Sequence, residues 1–446
     1  MNSRLAAPVL LALPFVAGLA VLKGLTVEID TFHGTDARLY HLPTIRHFAE
    51  SLDLERYPAA QTPLFHLLFA GWGKVVGFEL WRLRLLEVLI SYAGVLVLFR
   101  LLVRRGLAAG LAGALALVFA LSPYYLGPSF TLLTDNLAIL LGLIALDRLD
   151  RFGDSDSMGE LALACVATAL AVFTRQSLAW LALVAAFYVL RSGWPLQRKA
   201  AGAALIGAAL APFAALVVAW GGLVPPGSDP ASCGVCGEDS GLTLRPAGFT
   251  IALVGLYAAA VFGPSLLRGL RPGLRDLPPG MLIRSTRRGD IAGATMRRAR
   301  RVSPGPLTLA LPAAAGVALL LVSPLAYDPG EPGRPGDAGY LWQVSDKLPE
   351  LLGSSLLFWA LVPLGVVALA LLALRAGVLS LPVVYLAAFL AASLPVGLVY
   401  QKYFDPFALI AVALLTLRGD LRERTDYAGI AVLCVGFVAY AFSFAR

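Results

Sequence analysis

Along the chain, apolar residues run in blocks of roughly 17 to 25 separated by short polar breaks, with no two-residue alternation. That block length is what a helix needs to cross about 30 Å of hydrocarbon, whereas barrel strands would alternate inward and outward residues. The pattern predicts spans near 5–27, 82–102, 107–126, 132–147, 159–173, 176–191, 201–220, 248–267, 306–326, 352–374, 378–400, 404–417 and 427–444. The expectation is an all-α polytopic bundle of about thirteen crossings in a single domain, 1–446.

Composition agrees with this class. Apolar residues make up 58% and charged residues 14% of the 446, while soluble domains carry about 25% charged residues. The mean hydropathy is +0.77. The net charge of +8 is read loop by loop, since Lys and Arg gather in cytoplasmic loops. Arg100, Arg104 and Arg105, Arg148 and Arg151, Arg191 with Arg198 and Lys199, the ten arginines between Arg268 and Arg301, Arg375, and Arg418 to Arg424 fall on one side. They do so only if Thr62–Gly77 does not cross but lies in the outer interface. That placement puts the N-terminus inside and makes 268–303 a basic cytoplasmic loop resting on anionic headgroups, with no nucleic-acid role.

The break after the first span is different in kind. Glu28 to Leu68 reads EIDTFHGTDARLYHLPTIRHFAESLDLERYPAAQTPLFHLL and holds His33, His41 and His66 with Asp30 and Asp36. Residues 28–80 are expected to form the first extracytoplasmic loop, with interfacial helices and the catalytic site. From Asp36 onward, Leu39, Leu42, Ile45 and Phe48 fit one helical face, with Asp36 at its start. Asp36 could be no more than a helix N-cap. The chemical alternative is a base: moving a sugar from a lipid phosphate to a hydroxyl needs one carboxylate to take the proton and cations to hold the departing phosphate. No strong general acid is called for, because a phosphate already leaves readily. Asp30 is the fallback base, and His33 and His41 could orient a substrate or simply tie the loop.

Two outward turns carry cations. Phe173-Thr174-Arg175-Gln176 interrupts an apolar stretch, and an arginine there is costly without a partner such as phosphate. Tyr400-Gln401-Lys402-Tyr403-Phe404-Asp405-Pro406 offers a lysine and aromatic rings. Either cation could instead snorkel at a helix end. Asp135 in Thr134-Asp135-Asn136 opens another helix from outside, where capping is the plain alternative. Asp154-Ser155-Asp156 imitates a metal-binding DxD pattern but lies on the inner face without alternating strands and helices. Cys233 and Cys236 form an isolated CGVC, short of a zinc ligand set.

Read together, TDARLYHLPTIRHF, YPAAQTPLFHLL, RLLEVLISYAGVLVLFRLL, SPYY with TDN, FTRQSLAW and VYQKYFDPFALIAVALL resemble the C-type (GT-C) glycosyltransferases that use polyprenyl-phosphate sugars. Within them the chain is most similar to the dolichyl-phosphate-glucose α-1,2-glucosyltransferase family. Ala37 departs from that family's second acidic residue, and Pro63 lacks a second proline or glycine beside it. The resemblance implies inverting transfer of glucose or another hexose from a polyprenyl-phosphate donor to a glycan or lipid acceptor at the extracytoplasmic face; the high Ala, Leu, Gly, Pro and Arg content points to a prokaryotic plasma membrane, the lumenal face being the eukaryotic alternative. The resemblance also implies Asp36 as base, Arg175 and Lys402 at the donor phosphate, Gln176 and Gln401 beside them, and no metal or cofactor; Tyr403, Asp135, His33 and His41 are the further substrate-binding candidates offered by the loops themselves. A lipid-A or protein O-mannosyl-type transferase would share the fold, and a lipid or sugar transporter is the reading from another class.

Overall fold

The computed structural model describes residues 3–21, 36–226, 228, 241–269, 306–326, 339–396, 399–417 and 427–444. Asp30, His33, Cys233, Cys236 and nearly all of 268–303 lie outside the described residues. So does about half of 221–246 and of 327–349.

The described elements are helices joined by turns and loops, with one hairpin, β1 (Glu350–Leu351) with β2 (Ser354–Ser355). The helices are α1 (Ser3–Val21), α2 (Leu42–Glu50), α3 (Leu64–Val76), α4 (Leu80–Arg104), α5 (Ala109–Leu121), α6 (Pro123–Leu126), α7 (Asp135–Ser155), α8 (Met158–Thr174) and α9 (Leu181–Arg191). They continue with α10 (Leu196–Trp220), α11 (Arg245–Gly269), α12 (Pro306–Val322), α13 (Tyr340–Asp346), α14 (Leu356–Ala376), α15 (Leu381–Ser393), α16 (Gln401–Leu415) and α17 (Ala428–Phe444).

The protein is an integral membrane helical bundle. Among the described residues, Leu80–Arg104, Leu196–Trp220, Arg245–Gly263 and Leu356–Ala376 are each long and apolar enough to cross a membrane. The span expected at 107–126 is broken: Ala109–Leu121 and Pro123–Phe130 meet at 67°. Pro123 causes the break, since its ring cannot continue the helix and its predecessor Ser122 is pushed to extended backbone. Other apolar helices are shorter, so about thirteen crossings requires several of them to traverse with help from the turns at their ends. At 13 residues, α3 is about 20 Å long and too short to cross unaided.

One continuous apolar core joins α1, α4, α5, α7, α8 and α9 with α11, α14, α15, α16 and α17. Backbones touch where α11 meets α14. A Cβ on Gly255 would overlap the Leu361 carbonyl, and one on Gly365 the Ile251 carbonyl. A second, smaller core lies under the first loop, where Ile45, Phe48, Tyr57, Phe65 and Phe69 pack with Leu132 and Trp220.

Charges collect at opposite ends of α7. At its C-terminal end Asp147 and Asp150 pair with Arg104, Asp150 also with Arg105, and Asp147 with Arg151. Asp154 lies 3.7 Å from Arg104, and the carbonyl of Asp156 accepts from Trp194 and Arg198. At the N-terminal end of α7 lies Asp135, and there the turns named from sequence converge.

Candidate active site

Asp36 opens a five-residue π-helical turn, Ala37–His41, that runs into α2. The wider turn changes the face expected from sequence. Ile45 and Phe48 are buried as the periodicity requires, but Leu39 is turned outward at 54% exposure. Asp36 makes no side-chain cap bond. Its Oδ2 instead accepts from Lys402 Nζ at 3.3 Å, so capping is not what the carboxylate does.

Lys402 sits in the first turn of α16, where the helix dipole disfavours a cation. It is held there by other groups: Asp36 on one side and the Tyr403 ring, 5.0 Å from Nζ, on the other. The second cation reaches the same ring, with the Arg175 guanidinium carbon 5.1 Å from the Tyr403 centroid. Arg175 follows the last turn of α8, where a positive charge is favoured, and pairs with Asp135 in the first turn of α7, where a negative one is. Two carboxylate–cation pairs thus share one aromatic ring. The side chains are 10 to 17% exposed, enough to be reached and too little to be freely hydrated.

His41 is the third group in this cluster. It is buried, and its Nδ1 lies 2.9 Å from His66 Nε2. Burial, helped by the nearby Arg175 and Lys402 charges, pushes its pKa down to about 3. His66 is pushed down as well, by burial and by His41. Both imidazoles are therefore neutral, and His41 contributes polarity beside the cations without charge.

The supporting contacts come from remote segments. Thr62 Oγ1 donates to the Val172 carbonyl at 2.7 Å, tying the α3 entry to the end of α8. Gln176 Nε2 donates to the Ala60 carbonyl at 2.8 Å and, more loosely, to that of Leu223 at 3.5 Å. Gln176 therefore fixes the first loop to the turn after α10, where Gly221 takes the left-handed cap conformation. Gln401 is fully buried behind the site. Its Oε1 accepts from Leu341 N at 2.8 Å and its Nε2 donates to Asp405 at 2.9 Å.

Sequence reasoning passed over Asp405. Its carboxylate is fully buried and accepts from Ser122 at 2.9 Å, Tyr340 at 2.8 Å, Gln401 at 2.9 Å and Tyr257. An acidic residue within a predicted apolar span, directly before a proline, was the available signal. Among the described residues, no cluster of three or more His, Cys, Asp or Glu is placed to hold a metal.

Residues 60–220 match the family described as dolichyl-phosphate-mannose-protein mannosyltransferase. The matched segment contains Asp135, Arg175 and Gln176; Asp36 and Lys402 lie outside it. No curated protein matches the chain. Among solved structures, the chain is similar to ArnT from Cupriavidus metallidurans in the apo state, at 18% identity and a TM-score of 0.40, over 90% of this chain and 78% of that one. It is also similar to the same protein bound to undecaprenyl phosphate, at 17% identity and a TM-score of 0.40, over 98% and 79%. The family match indicates a glycosyltransferase.

Proposed function

We propose that the chain transfers a hexose from a polyprenyl-phosphate donor to a hydroxyl of a glycan, lipid or protein acceptor, with inversion, at the outer face of a prokaryotic plasma membrane. The observation that carries this is the contact between Asp36 and Lys402, 366 positions apart in sequence and 3.3 Å apart in space, beside the Arg175–Asp135 pair.

Without substrate, each cation is matched by a carboxylate. A donor phosphodiester brings one negative charge, which Lys402 and Arg175 can take up, the latter through its planar fork. As Lys402 turns to the phosphate, Asp36 is released to accept the proton of the acceptor hydroxyl. The acceptor oxygen then bonds to the anomeric carbon from the face opposite the phosphate, and the bond from that carbon to the phosphate oxygen breaks. The proton ends on Asp36 and the electron pair on polyprenyl phosphate, whose growing negative charge the two cations stabilise.

The family match across 60–220 favours a mannose-type donor and a protein acceptor as one reading; the collinear motifs favour a glucose-type donor as the other. Purified protein would be given polyprenyl-phosphate mannose or glucose together with membrane lipid extract or serine- and threonine-containing peptide. Wild type is expected to transfer one sugar, and Asp36→Asn to be slower by about 100-fold or more. Transfer by Asp36→Asn at the wild-type rate would remove Asp36 as the base. For orientation, a cysteine replacing Arg287 should resist an impermeant thiol reagent in intact cells.

A further inference from the structure

The first turn of α16 carries Lys402, and Pro406, four residues later, has no N–H to offer the Lys402 carbonyl. One residue before that proline stands Asp405, on which four elements converge. Oδ1 accepts from Ser122, at the bend between α5 and α6. Oδ2 accepts from Tyr257 of α11, Tyr340 of α13 and Gln401 of α16 itself.

The same cage seats the segment that enters α13. Tyr340 N donates to Tyr124 Oη at 3.0 Å, Leu341 N to Gln401 Oε1 at 2.8 Å, and Trp342 Nε1 to the Val399 carbonyl at 2.9 Å. Gly339 has φ +118°, and a Cβ there would strike Gln401 and Tyr124. A buried carboxylate with four donors is fully satisfied and holds its partners in one arrangement. The direct bond from Gln401 and the three-residue step from Lys402 to Asp405 pass that rigidity to the lysine.

We propose that Asp405 is a positioning residue for the proposed transfer, holding the first turn of α16 so that Lys402 stays at the donor phosphate after Asp36 has let it go. The Asp36 pair cannot serve this purpose, because it must open during each turnover. The inference rests on the functional reading for its purpose, but the positional part is testable without it.

Labelling of the Lys402 amine by an acylating reagent, read by peptide mass spectrometry, reports the position directly. Asp405→Asn places an amide donor among four donors and is expected to speed labelling of Lys402 by about fivefold to tenfold, loosening its pair with Asp36. Tyr340→Phe removes one donor only and should shift labelling the same way by about twofold to threefold, in protein that still elutes as a folded species. Adding Pro406→Ala to Asp405→Asn gives the Lys402 carbonyl a helical N–H four residues on and should return labelling toward wild type. Unchanged labelling in both Asp405→Asn and folded Tyr340→Phe overturns the proposal.

Binding of polyprenyl phosphate to nanodisc-embedded protein supplies the second arm. Asp405→Asn is expected to bind about tenfold more weakly, and the double variant with Lys402→Ala no more weakly than Lys402→Ala alone. Additive losses would mean that Asp405 acts elsewhere, overturning the proposal. If Lys402→Ala leaves phosphate binding intact, the donor-site reading is what fails, and the labelling rates then decide the role of Asp405 on their own.

Discussion

The Tyr403 ring carries the Arg175 guanidinium 5.1 Å from its centroid while its own neighbour Lys402 stands 5.0 Å away. One aromatic ring therefore serves two cations that would otherwise repel each other in a weakly hydrated place. A partly desolvated cation–π contact contributes about 1–2 kcal/mol. Tyr403→Leu is expected to raise the donor KM by roughly tenfold with a smaller change in kcat, whereas Tyr403→Phe keeps the ring and should stay within about threefold of wild type. Equal KM values for the Leu and Phe variants would show that the ring does not organise the cations.

Asp135 and Arg175 are each about five-sixths buried and pair across the α7–α8 hairpin. Removing the charge of one member strands the other. Asp135→Asn is expected to lower unfolding stability by about 2–3 kcal/mol, less than a fully buried pair would lose because some solvent reaches it. The same substitution leaves Arg175 without its competing carboxylate, so polyprenyl phosphate should bind a few-fold more tightly even as the fold weakens. Opposite signs for the two measurements are the signature; parallel losses would mean that Arg175 does not face the phosphate.

How far the chain could be read from its residues depended on whether the determinants were local. Block length alone marked the helices, and the contrast between apolar spans and the charged 28–68 loop marked the segment that brings Asp36 to Lys402. Arg175 and Lys402 stood out because a cation at a turn between apolar runs is costly to keep there. The π-helical turn at 37–41 was not legible, because five residues give no periodicity, and Leu39 accordingly faces outward instead of inward. The cage around Asp405 was also hidden. Its donors come from positions 122, 257, 340 and 401, and no local pattern links a serine, two tyrosines and a glutamine so far apart. Proline at 123 was a local cue that a single span over 107–126 ignores, and the helix breaks there.

Neutral histidines make stability depend on acid. His41 titrates near 6.5 when unfolded and about 3 when folded, because burial and two nearby cations oppose its charged form. Its contribution is thus complete above pH 6.5 and is lost as pH falls toward 3, since only the unfolded chain takes up the proton in that window. Each such group changes stability by about 1.4 kcal/mol per pH unit inside the window. His66, lowered by burial and by His41, adds in the same direction. The unfolding midpoint of detergent-solubilised protein should fall steadily from pH 6.5 to 4.5. His41→Gln, which can still bond His66, should flatten that slope by about half; an unchanged slope would mean that His41 takes up its proton while folded.

Gly255 and Gly365 let α11 and α14 touch backbone to backbone, a contact that burial of apolar area cannot drive within lipid. Association there comes from packing at short range, so adding volume works directly against it. Gly365→Val is expected to destabilise by about 2–3 kcal/mol, the upper part of the range for overpacking, because the obstacle is a carbonyl and not a side chain that can swing away. Gly207, on α10, is the control: nothing lies near the position a Cβ would take. Gly207→Ala should be neutral or stabilising by up to about 1 kcal/mol from helix propensity. Thermal unfolding of both variants in one detergent separates the two cases. A Gly365→Val protein as stable as Gly207→Ala would mean that α11 and α14 do not cross at these glycines.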